Sequence, residues 1–476
     1  MSTLINLFPN PSADPAGDMS VFRSWPGNNG NVSAVSSVAT SWGARKRVAQ
    51  ATWTTINDAF TGDFGLNLEV PRPGRYTLRY SIQWATSQTP GFVSTWSGAG
   101  NSAGVTRVAH SPLPGPIPAW QVIDRWITID VTAQGVTNRP VILEVFPGKT
   151  AAARAVQIAD VLFYEGDFDP ALTYFDGDSD PGPGEAVGWV GAPGRSASFR
   201  VTPEIDLNPM PDDQPCPRVE LVARDLPPST TAVTIWRTAA GRTKEVRGAI
   251  RTNASDAISL VDFEAPFGVP LTYRVEPFTA TGDSLGLIGL AETQLDVDET
   301  WVHNPLNPFG SVVVSFRGSA VGAISRPVDG QVEHALGSRV GRVVSSGRRG
   351  VVGVSLDVMT ETLADADKVA ALLGDEGNEL PPVLCFRIGA RDRVRLPQPF
   401  YAAVLDIVES SFDYTEGTGE KIAHHMSGTE AAPPVPGLFI PLLTYAHLNA
   451  YYASYAALNA DNPTYLAVNT RYDLVR

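Results

Sequence analysis

Short stretches in which apolar and polar residues alternate dominate most of this chain. Arg75 to Trp84 (RYTLRYSIQW), Trp126 to Val131 and Val141 to Phe146 have this period of two, and turns rich in proline and glycine separate them. Such alternation is typical of β-strands that bury one face and expose the other. Together with 43 glycines and 39 prolines, it predicts a mainly β fold of serial antiparallel β-sandwich domains.

Two later regions carry the same signal. Residues 217–297 alternate around Val233 and Ile235 and again from Leu271 to Val275, with a turn at Ala240-Gly241. This predicts a third unit of sandwich type. Over residues 298–430, Ser311 to Arg317 (SVVVSFR) and Val351 to Val358 (VVGVSLDV) predict the strands of a fourth.

One segment of the fourth region has the period of a helix instead. Thr362 and Asp365 resemble a capping box, and Gly374 follows the last apolar residue. The apolar stripe between them consists of Leu363, Ala366, Val369, Leu372 and Leu373. The spacing predicts an α-helix over about 362–373.

The last residues repeat at a spacing of ten, as TYAHLNAYYA, SYAALNADNP and TYLAVNTRYD. A hydroxyl residue before each tyrosine predicts a separately capped helical turn in each copy, and Pro463 interrupts the run. Such turns have no core of their own, so they need another surface. The predicted anchors are Tyr445, Leu448, Tyr455, Leu458, Tyr465 and Val468.

Two docking surfaces are open to this repeat, its own chain or a neighbouring chain. Residues 431–443 form a Pro-rich linker that tethers residues 444–476 to the fourth domain. A tether can reach an adjacent subunit, so an intermolecular assembly clamp is the favoured interpretation.

Charge and cysteine content narrow the functional classes. A net charge of −14 argues against a nucleic-acid partner, whose phosphates require clustered lysine and arginine. Cys216 and Cys385 fall in different predicted domains, so neither a disulfide framework nor a cysteine metal cluster is expected. The chain carries no run of about 18 apolar residues and no signal-peptide pattern, which predicts no membrane insertion and folding in the bacterial cytoplasm.

Residues 1–165 carry seven of the ten tryptophans. Exposed tryptophan rings stack on the apolar faces of sugars. Trp42, Trp53 and Trp96 lie among serine, threonine and glycine and are the candidate carbohydrate contacts, with a buried structural position as the alternative for each. Trp84 ends a strand pattern and is expected in the core.

Short motifs in this region resemble carbohydrate-binding modules of the jelly-roll, galactose-binding-like type. They are NLFPNPSAD, PRPGRYTLRYSIQW and VQIADVLFYEG. The resemblance implies a jelly-roll sandwich. Members of that fold often hold a structural calcium between their first and last strands, which here corresponds to Asp18 and Asp160; no other cofactor is implied.

Residues 166–216 form a connector rich in aspartate, proline and glycine. Asp176, Asp178 and Asp180 alternate as in an EF-hand, but Pro181 replaces the required glycine, so a solvated polar hairpin is predicted. The phrase TYFDGDSDPGPGEAVGWVGAPGRSASFR resembles minor tail proteins of phages that infect actinobacteria. LTYRVEPFTATGD, in the next unit, resembles a fibronectin type III or immunoglobulin-like domain.

The fourth region and the repeat strengthen that resemblance. RRG, a strand, TETLADADKVAALLG, a strand and RVRLPQPFYAAVLDI follow one another as in the same tail proteins and in the distal tail proteins of siphophages. The resemblance implies a structural protein of the virion, located at the tail tip or baseplate. It also implies a ring around the tail axis, a hexamer or alternatively a trimer, in contact with the tube, hub and tape-measure proteins.

Motifs of catalysis are sparse. The chain has neither a phosphate-binding loop nor His-Glu-x-x-His, and the adjacent His424 and His425 are poorly placed for one metal. The sequence therefore predicts a structural protein, not an enzyme, with a module for host cell-wall glycan attachment. Its 50 acidic residues leave a polysaccharide-cleaving glycoside hydrolase as the alternative, and a bacterial surface adhesin as a third.

Overall fold

The computed structural model describes residues 3–11, 13–25, 35–53, 63–85, 93–97, 105–112, 117–132, 141–145, 154–211, 216–375, 378–411, 419–434, 445–462 and 468. Two compact units make up the chain. The first contains Met1–Pro203, Asp225–Thr231 and Phe278–Ile288, and the second Glu204–Arg224, Ala232–Pro277 and Gly289–Arg476. Antiparallel strands dominate the described residues, which confirms the predicted mainly β fold.

The N-terminal strands form three antiparallel sheets, with orders β1-β13-β12, β2-β5-β10-β7 and β3-β4-β11-β6-β9-β8. A 3-10 helix covers Met19–Val21. The strands are β1 (Thr3–Asn6), β2 (Phe22–Trp25), β3 (Ser36–Ala39), β4 (Arg47–Trp53), β5 (Asp63–Leu68), β6 (Gly74–Trp84), β7 (Val93–Ser97), β8 (Val105–His110), β9 (Ile123–Val131), β10 (Val141–Val145), β11 (Arg154–Glu165), β12 (Ala186–Trp189) and β13 (Ser198–Val201).

The four-stranded and six-stranded sheets pack face to face. Alternate residues of β6, from Tyr76 to Trp84, enter one core with Leu66 of β5 and Ile127 of β9. Trp84 is 9% exposed, which confirms its predicted core position. The connector hairpin β12–β13 pairs with β1 and so belongs to the same unit.

The strands from residue 204 onward are β14 (Glu204–Met210), β15 (Arg218–Arg224), β16 (Ala232–Ala239), β17 (Arg242–Glu245), β18 (Thr252–Asn253), β19 (Ile258–Asp262), β20 (Pro270–Phe278), β21 (Ile288–Gln294), β22 (Thr300–Asn304), β23 (Asn307–Phe316), β24 (Val328–Glu333), β25 (Arg342–Arg348), β26 (Val354–Ser355), β27 (Val358–Thr360), β28 (Gly374–Asp375), β29 (Asn378–Glu379), β30 (Val383–Arg387), β31 (Phe400–Ser411) and β32 (Ile422–Glu430). The described α-helices are α1 (Leu363–Ala370), α2 (Tyr445–Tyr451) and α3 (Tyr455–Asp461), and a second 3-10 turn covers Ala371–Leu373.

Strands β15 to β21 of the third predicted region, together with β14 from the predicted connector, form two sheets. Their orders are β14-β15-β19 and β17-β16-β20-β21, and β18 pairs with β16. Val233, Ile235, Leu271, Tyr273 and Val275 are all fully buried, as their alternation predicted. Ala240 and Gly241 join β16 to β17 at positive φ (47° and 73°), the backbone geometry of a two-residue hairpin turn.

The fourth region forms a sheet that closes on itself. Its order is β26-β32-β27-β23-β22-β30-β31, and β31 also pairs with β32, which makes a barrel. Closure satisfies the backbone groups that sheet edges would leave unpaired. The predicted continuous strand over 351–358 is wrong: Gly353 at φ +59° precedes the two-residue β26, and Leu356 and Asp357 separate β26 from β27.

Helix α1 confirms the predicted helix almost residue for residue. Thr362 Oγ1 accepts from the Asp365 backbone N–H at 3.1 Å, and Gly374 lies at φ +93° after the 3-10 turn. Ala366, Val369 and Leu372 are buried. Leu363 is 54% exposed, so its predicted place in the apolar stripe is wrong: it is the first helical residue, and the buried stripe begins one turn later.

Candidate functional site

Among the described residues, several exposed large apolar side chains lie on a hairpin that leaves the barrel domain, made of β24 and β25. These strands pair with each other and with no other described strand. Val332 lies opposite Val343, and Glu333 lies opposite Arg342. Every residue of both strands is exposed. We call residues 325–350 the arm.

Six large apolar side chains of the arm face solvent. They are Val328 (53% exposed), Val332 (58%), Leu336 (108%), Val340 (78%), Val343 (72%) and Val344 (58%). An isolated two-stranded hairpin is marginally stable in water, and both of its edges offer unpaired backbone groups. Exposed apolar side chains concentrated on one element in this way indicate an interaction surface.

The arm has the opposite charge to the chain as a whole. It contains five arginines and only two carboxylates, a formal charge of +3, whereas the whole chain carries −14. Arg349 pairs with Asp329, Nε to Oδ2 at 2.6 Å, so one of the two carboxylates is already neutralised within the arm. The surface that covers the arm should therefore be acidic as well as apolar.

Such a surface exists on strand β31 of the barrel. Leu405 is 82% exposed and Val408 53%. Asp406 and Glu409, beside them on the same strand, are also exposed. We call these four residues the strip. The arm and the strip are complementary in polarity and in charge, and both belong to the second unit.

The three predicted carbohydrate contacts are not brought together by the described structure. Trp42 is half-buried, and its indole N–H donates to Gln157 Oε1 at 3.2 Å. Trp53 and Trp96 belong to β4 and β7, but their side chains lie outside the described residues. The sequence did not single out Trp120, which is 52% exposed and whose backbone N–H donates to the Trp84 carbonyl at 2.7 Å.

Asp18 and Asp160, the predicted calcium ligands, each have a partner within the chain. Asp18 Oδ1 accepts from Ser20 N at 2.9 Å and from Ser20 Oγ at 2.6 Å, which caps the first 3-10 helix. Asp160 Oδ1 accepts from Ala44 N at 2.8 Å, and burial raises the pKa of this carboxyl. Within the described ranges, no three His, Cys, Asp or Glu side chains gather as metal ligands would. The calcium site stays a prediction.

Asp176 corrects the predicted solvated hairpin. It is fully buried, and it accepts from Arg45 Nε at 3.0 Å and from Arg45 Nη2 at 2.5 Å. Tyr174 Oη donates to it at 2.9 Å and Ser179 Oγ at 3.0 Å. The aspartate-rich turn therefore satisfies a buried carboxylate, and it does so with an arginine that is distant in sequence.

The first two copies of the terminal repeat form α2 and α3. Ser454 Oγ accepts from Ala457 N at 3.2 Å, which confirms that a new capped turn begins there. Tyr452 Oη donates to Asp461, and Asn462 Nδ2 donates to Tyr452 Oη at 2.9 Å, so these two turns hold each other. That the turns need another surface to cover their apolar residues stays a prediction.

The predicted anchors of the repeat differ in exposure. Tyr455 is 68% exposed, Leu458 is 8% exposed, and Leu448 and Val468 are half-buried. Tyr465 and the side chain of Tyr445 lie outside the described residues. The clamp stays a prediction. In the described part of the chain, no helix is long and apolar enough to cross a membrane.

Comparisons with known proteins give only remote similarities. No protein-family model matches the chain, and no curated protein matches its sequence. A β-1,2-glucanase from Parabacteroides distasonis is similar in structure with a TM-score of 0.22 and 8% identity, over 61% of this chain and 38% of the glucanase. The chain thus spans well under half of that enzyme.

Two further solved structures are similar at the same level. The tripod of the baseplate of bacteriophage Tuc2009 has a TM-score of 0.18 and 11% identity, over 52% of this chain and 81% of the tripod chain. The adhesin domain of Epf from Streptococcus pyogenes has a TM-score of 0.22 and 10% identity, over 62% of this chain and 92% of that domain. Similarity this remote carries no argument about function.

Proposed function

We propose that this chain is a structural minor tail protein of a siphophage tail tip, which assembles into a ring by docking its arm on the strip of the next copy. The exposed arm carries this proposal. Its six apolar side chains and its positive charge require an apolar, acidic partner surface, and each copy of the chain supplies one on β31.

The arm and the strip are different patches, so their contact joins copies head to tail. Head-to-tail contacts give a closed ring when the rotation between copies closes, as six or three copies around the tail axis would. The barrel has already paired its own strands by closure. Within this region, the strands of the arm therefore keep unpaired edges that can contact a neighbour.

The free energy of association favours a second contact between copies in addition to the arm. Covering each exposed valine or leucine of the arm stabilises association by about 1 to 2 kcal/mol. The six together contribute roughly 6 to 12 kcal/mol, about the same size as the cost of association of roughly 4 to 15 kcal/mol. The terminal repeat, which exposes Tyr451 and Tyr455 by 62% and 68%, is the proposed clamp that adds to the arm.

The tail assignment rests on the order of elements in the second unit. A barrel with α1 between β27 and β30, followed by the capped repeat, has the layout that the motifs shared with minor tail proteins imply. The proposed partners are further copies of the chain and the tube, hub and tape-measure proteins. We assign the chain to the virion, with a structural role instead of catalysis, and assign glycan attachment to the N-terminal module.

Immuno-electron microscopy of the phage that encodes the chain tests this assignment. Antibodies against the whole chain should label one end of the tail, at the tip, in intact particles. Pre-absorption of the antibodies with the purified chain is the control and should abolish the label. Particles whose tails stay unlabelled would contradict the proposed function.

A further inference from the structure

The outer face of the six-stranded sheet, which points away from the core, is divided into two parts. The connector covers one part: the Trp126 ring stacks on Phe168 at 4.2 Å, and Arg79 Nη1 donates to the Leu172 carbonyl at 2.5 Å. Thr77 Oγ1 likewise donates to the Gly166 carbonyl at 2.8 Å. The connector contacts do not include the other part, around β4, β11 and β6, which carries glutamine side chains.

Three glutamines cross that second part in register. Gln157 of β11 lies opposite both Gln50 of β4 and Gln83 of β6. Gln157 Nε2 donates to Gln50 Oε1 at 2.6 Å, and the amides of Gln83 and Gln157 are 2.5 Å apart. Gln83 and Gln157 are only 6% and 5% exposed, so they form a buried polar row, not a surface one.

The row supports two tryptophans. The Gln83 amide lies 2.5 Å from the Trp42 indole nitrogen and 3.0 Å from the Trp120 carbonyl oxygen. One amide therefore lies between the two tryptophans. Trp120 lies at φ +61° and is 52% exposed, and its backbone N–H is fixed by the Trp84 carbonyl.

The loop that carries Trp42 is fixed independently. Thr40 N donates to the Lys46 carbonyl at 2.9 Å, and Ala44 N donates to Asp160. Arg45 in the same loop forms the ion pair with Asp176. Asp160 thus holds the backbone beside the ring, Asp176 holds the Arg45 side chain of the same loop, and Gln157 accepts from the ring nitrogen. A ring held in this way loses little conformational entropy when a ligand binds.

We infer that Trp42 and Trp120 form a binding platform for the uncharged pyranose units of a glycan, an inference that rests on the proposed attachment function of the N-terminal module. The apolar C–H face of a pyranose fits an aromatic ring, and its hydroxyls need both donors and acceptors nearby. Gln121 and Asp124 are exposed next to Trp120 in the chain and supply both. Trp42 is the contact that the sequence predicted, and Trp120 takes the place beside it.

Affinity electrophoresis of the full chain in gels that contain dextran, mannan or arabinogalactan tests this platform. At least one of these neutral polysaccharides should retard the wild type. Trp120→Ala should weaken retardation by about tenfold or more, the loss expected for one stacked ring. Val122→Ala is the matched control, because Val122 is also exposed, by 39%, and lies two residues away; it should bind like the wild type.

Three results would overturn the inference: retardation by none of the three polysaccharides, equal retardation of Trp120→Ala and the wild type, or retardation by the charged polysaccharide alginate alone. A measurement of the oligomeric state distinguishes failure of the glycan platform from failure of the proposed ring. Trp120→Ala should keep the oligomeric state of the wild type, and a wild type that stays monomeric but binds polysaccharide would contradict the ring while supporting the platform.

Discussion

Arg45 and Asp176 are joined by two hydrogen bonds, at 3.0 Å and 2.5 Å, although 131 residues separate them in the chain. This ion pair fastens the loop of Trp42 to the connector. Asp176 is fully buried, whereas the Arg45 side chain is 35% exposed. The pair thus connects the packing of the connector with the position of a predicted ligand contact.

Asp176→Asn should destabilise the first unit by about 2 kcal/mol. Breaking a fully buried ion pair costs 3 to 5 kcal/mol, and the exposure of Arg45 reduces that cost. Tryptophan fluorescence during thermal unfolding checks this, since seven of the ten tryptophans lie in residues 1–165. Asp180→Asn, an exposed position in the same turn, is the control; an equal effect of both variants would show that the ion pair contributes nothing.

The same carboxyl sets an acid limit for the first unit. Burial alone would raise the pKa of Asp176, but the hydrogen bonds and charge of Arg45, with Tyr174 and Ser179, outweigh burial and lower it below 3.8. Its stabilisation is therefore present above pH 4 and is lost as the pH falls through the lowered value. The difference in unfolding temperature between the wild type and Asp176→Asn should shrink below pH 4.

A charge exchange tests the contact between arm and strip. Arg342→Glu places a carboxylate opposite the acidic strip and should weaken self-association by tenfold or more, as like charges repel across an interface. Asp406→Arg in the same chain should restore association, and both effects should diminish at high salt. Sedimentation velocity at two salt concentrations measures this. Failure of the double variant to recover would exclude the strip as the docking surface.

His303 should make the second unit sensitive to mild acid. Burial, together with the charges of Arg387 and Arg247, holds its pKa well below 6.5, and its ring nitrogens have no hydrogen-bond partner among the described residues. The unfolded chain binds a proton at this residue first, so stability should fall by about 1.4 kcal/mol per pH unit below pH 6.5.

His303→Leu should remove that slope while leaving stability at pH 7 equal or slightly higher, because it eliminates two unpaired buried nitrogens. Calorimetric unfolding between pH 5 and pH 7.5 gives the comparison. A slope unchanged by the substitution would assign the acid sensitivity to other groups.

Removal of calcium should leave the first unit unchanged. Ser20 and Ala44 already donate to Asp18 and Asp160, so each carboxylate has a hydrogen-bond partner within the chain. We expect the same unfolding temperature in EDTA and in millimolar calcium. A rise of several degrees with calcium, absent in Asp160→Asn, would instead support the metal site.

The sequence could predict two kinds of element. In one, the contacting residues are close together in sequence; in the other, the buried residues recur with a single period. Val233 and Tyr273 alternate with polar neighbours, and both are buried. Helix α1 begins at its predicted cap because Thr362 and its partner Asp365 are three residues apart. In these cases the deciding contacts are encoded within a few residues.

The features that were missed depend on distant partners. Val332 alternates with polar residues like any half-buried strand position, and no local signal shows that the chain itself leaves Val332 and Val343 uncovered. Asp176 belongs to a run that looks solvated, but its partner is Arg45. Trp120 is exposed through a positive φ and a backbone contact with Trp84, neither of which its sequence neighbourhood specifies.

The oligomeric state of the full chain tests the central claim, that the arm joins copies into a ring. Mass photometry of the wild type should show one closed oligomer, a hexamer or a trimer. Leu336→Asp, at the fully exposed tip of the arm, should give monomers, and Leu290→Asp, at a residue 55% exposed on β21, should assemble like the wild type. A wild type that stays monomeric at micromolar concentration, or a Leu336→Asp variant that assembles normally, would contradict it.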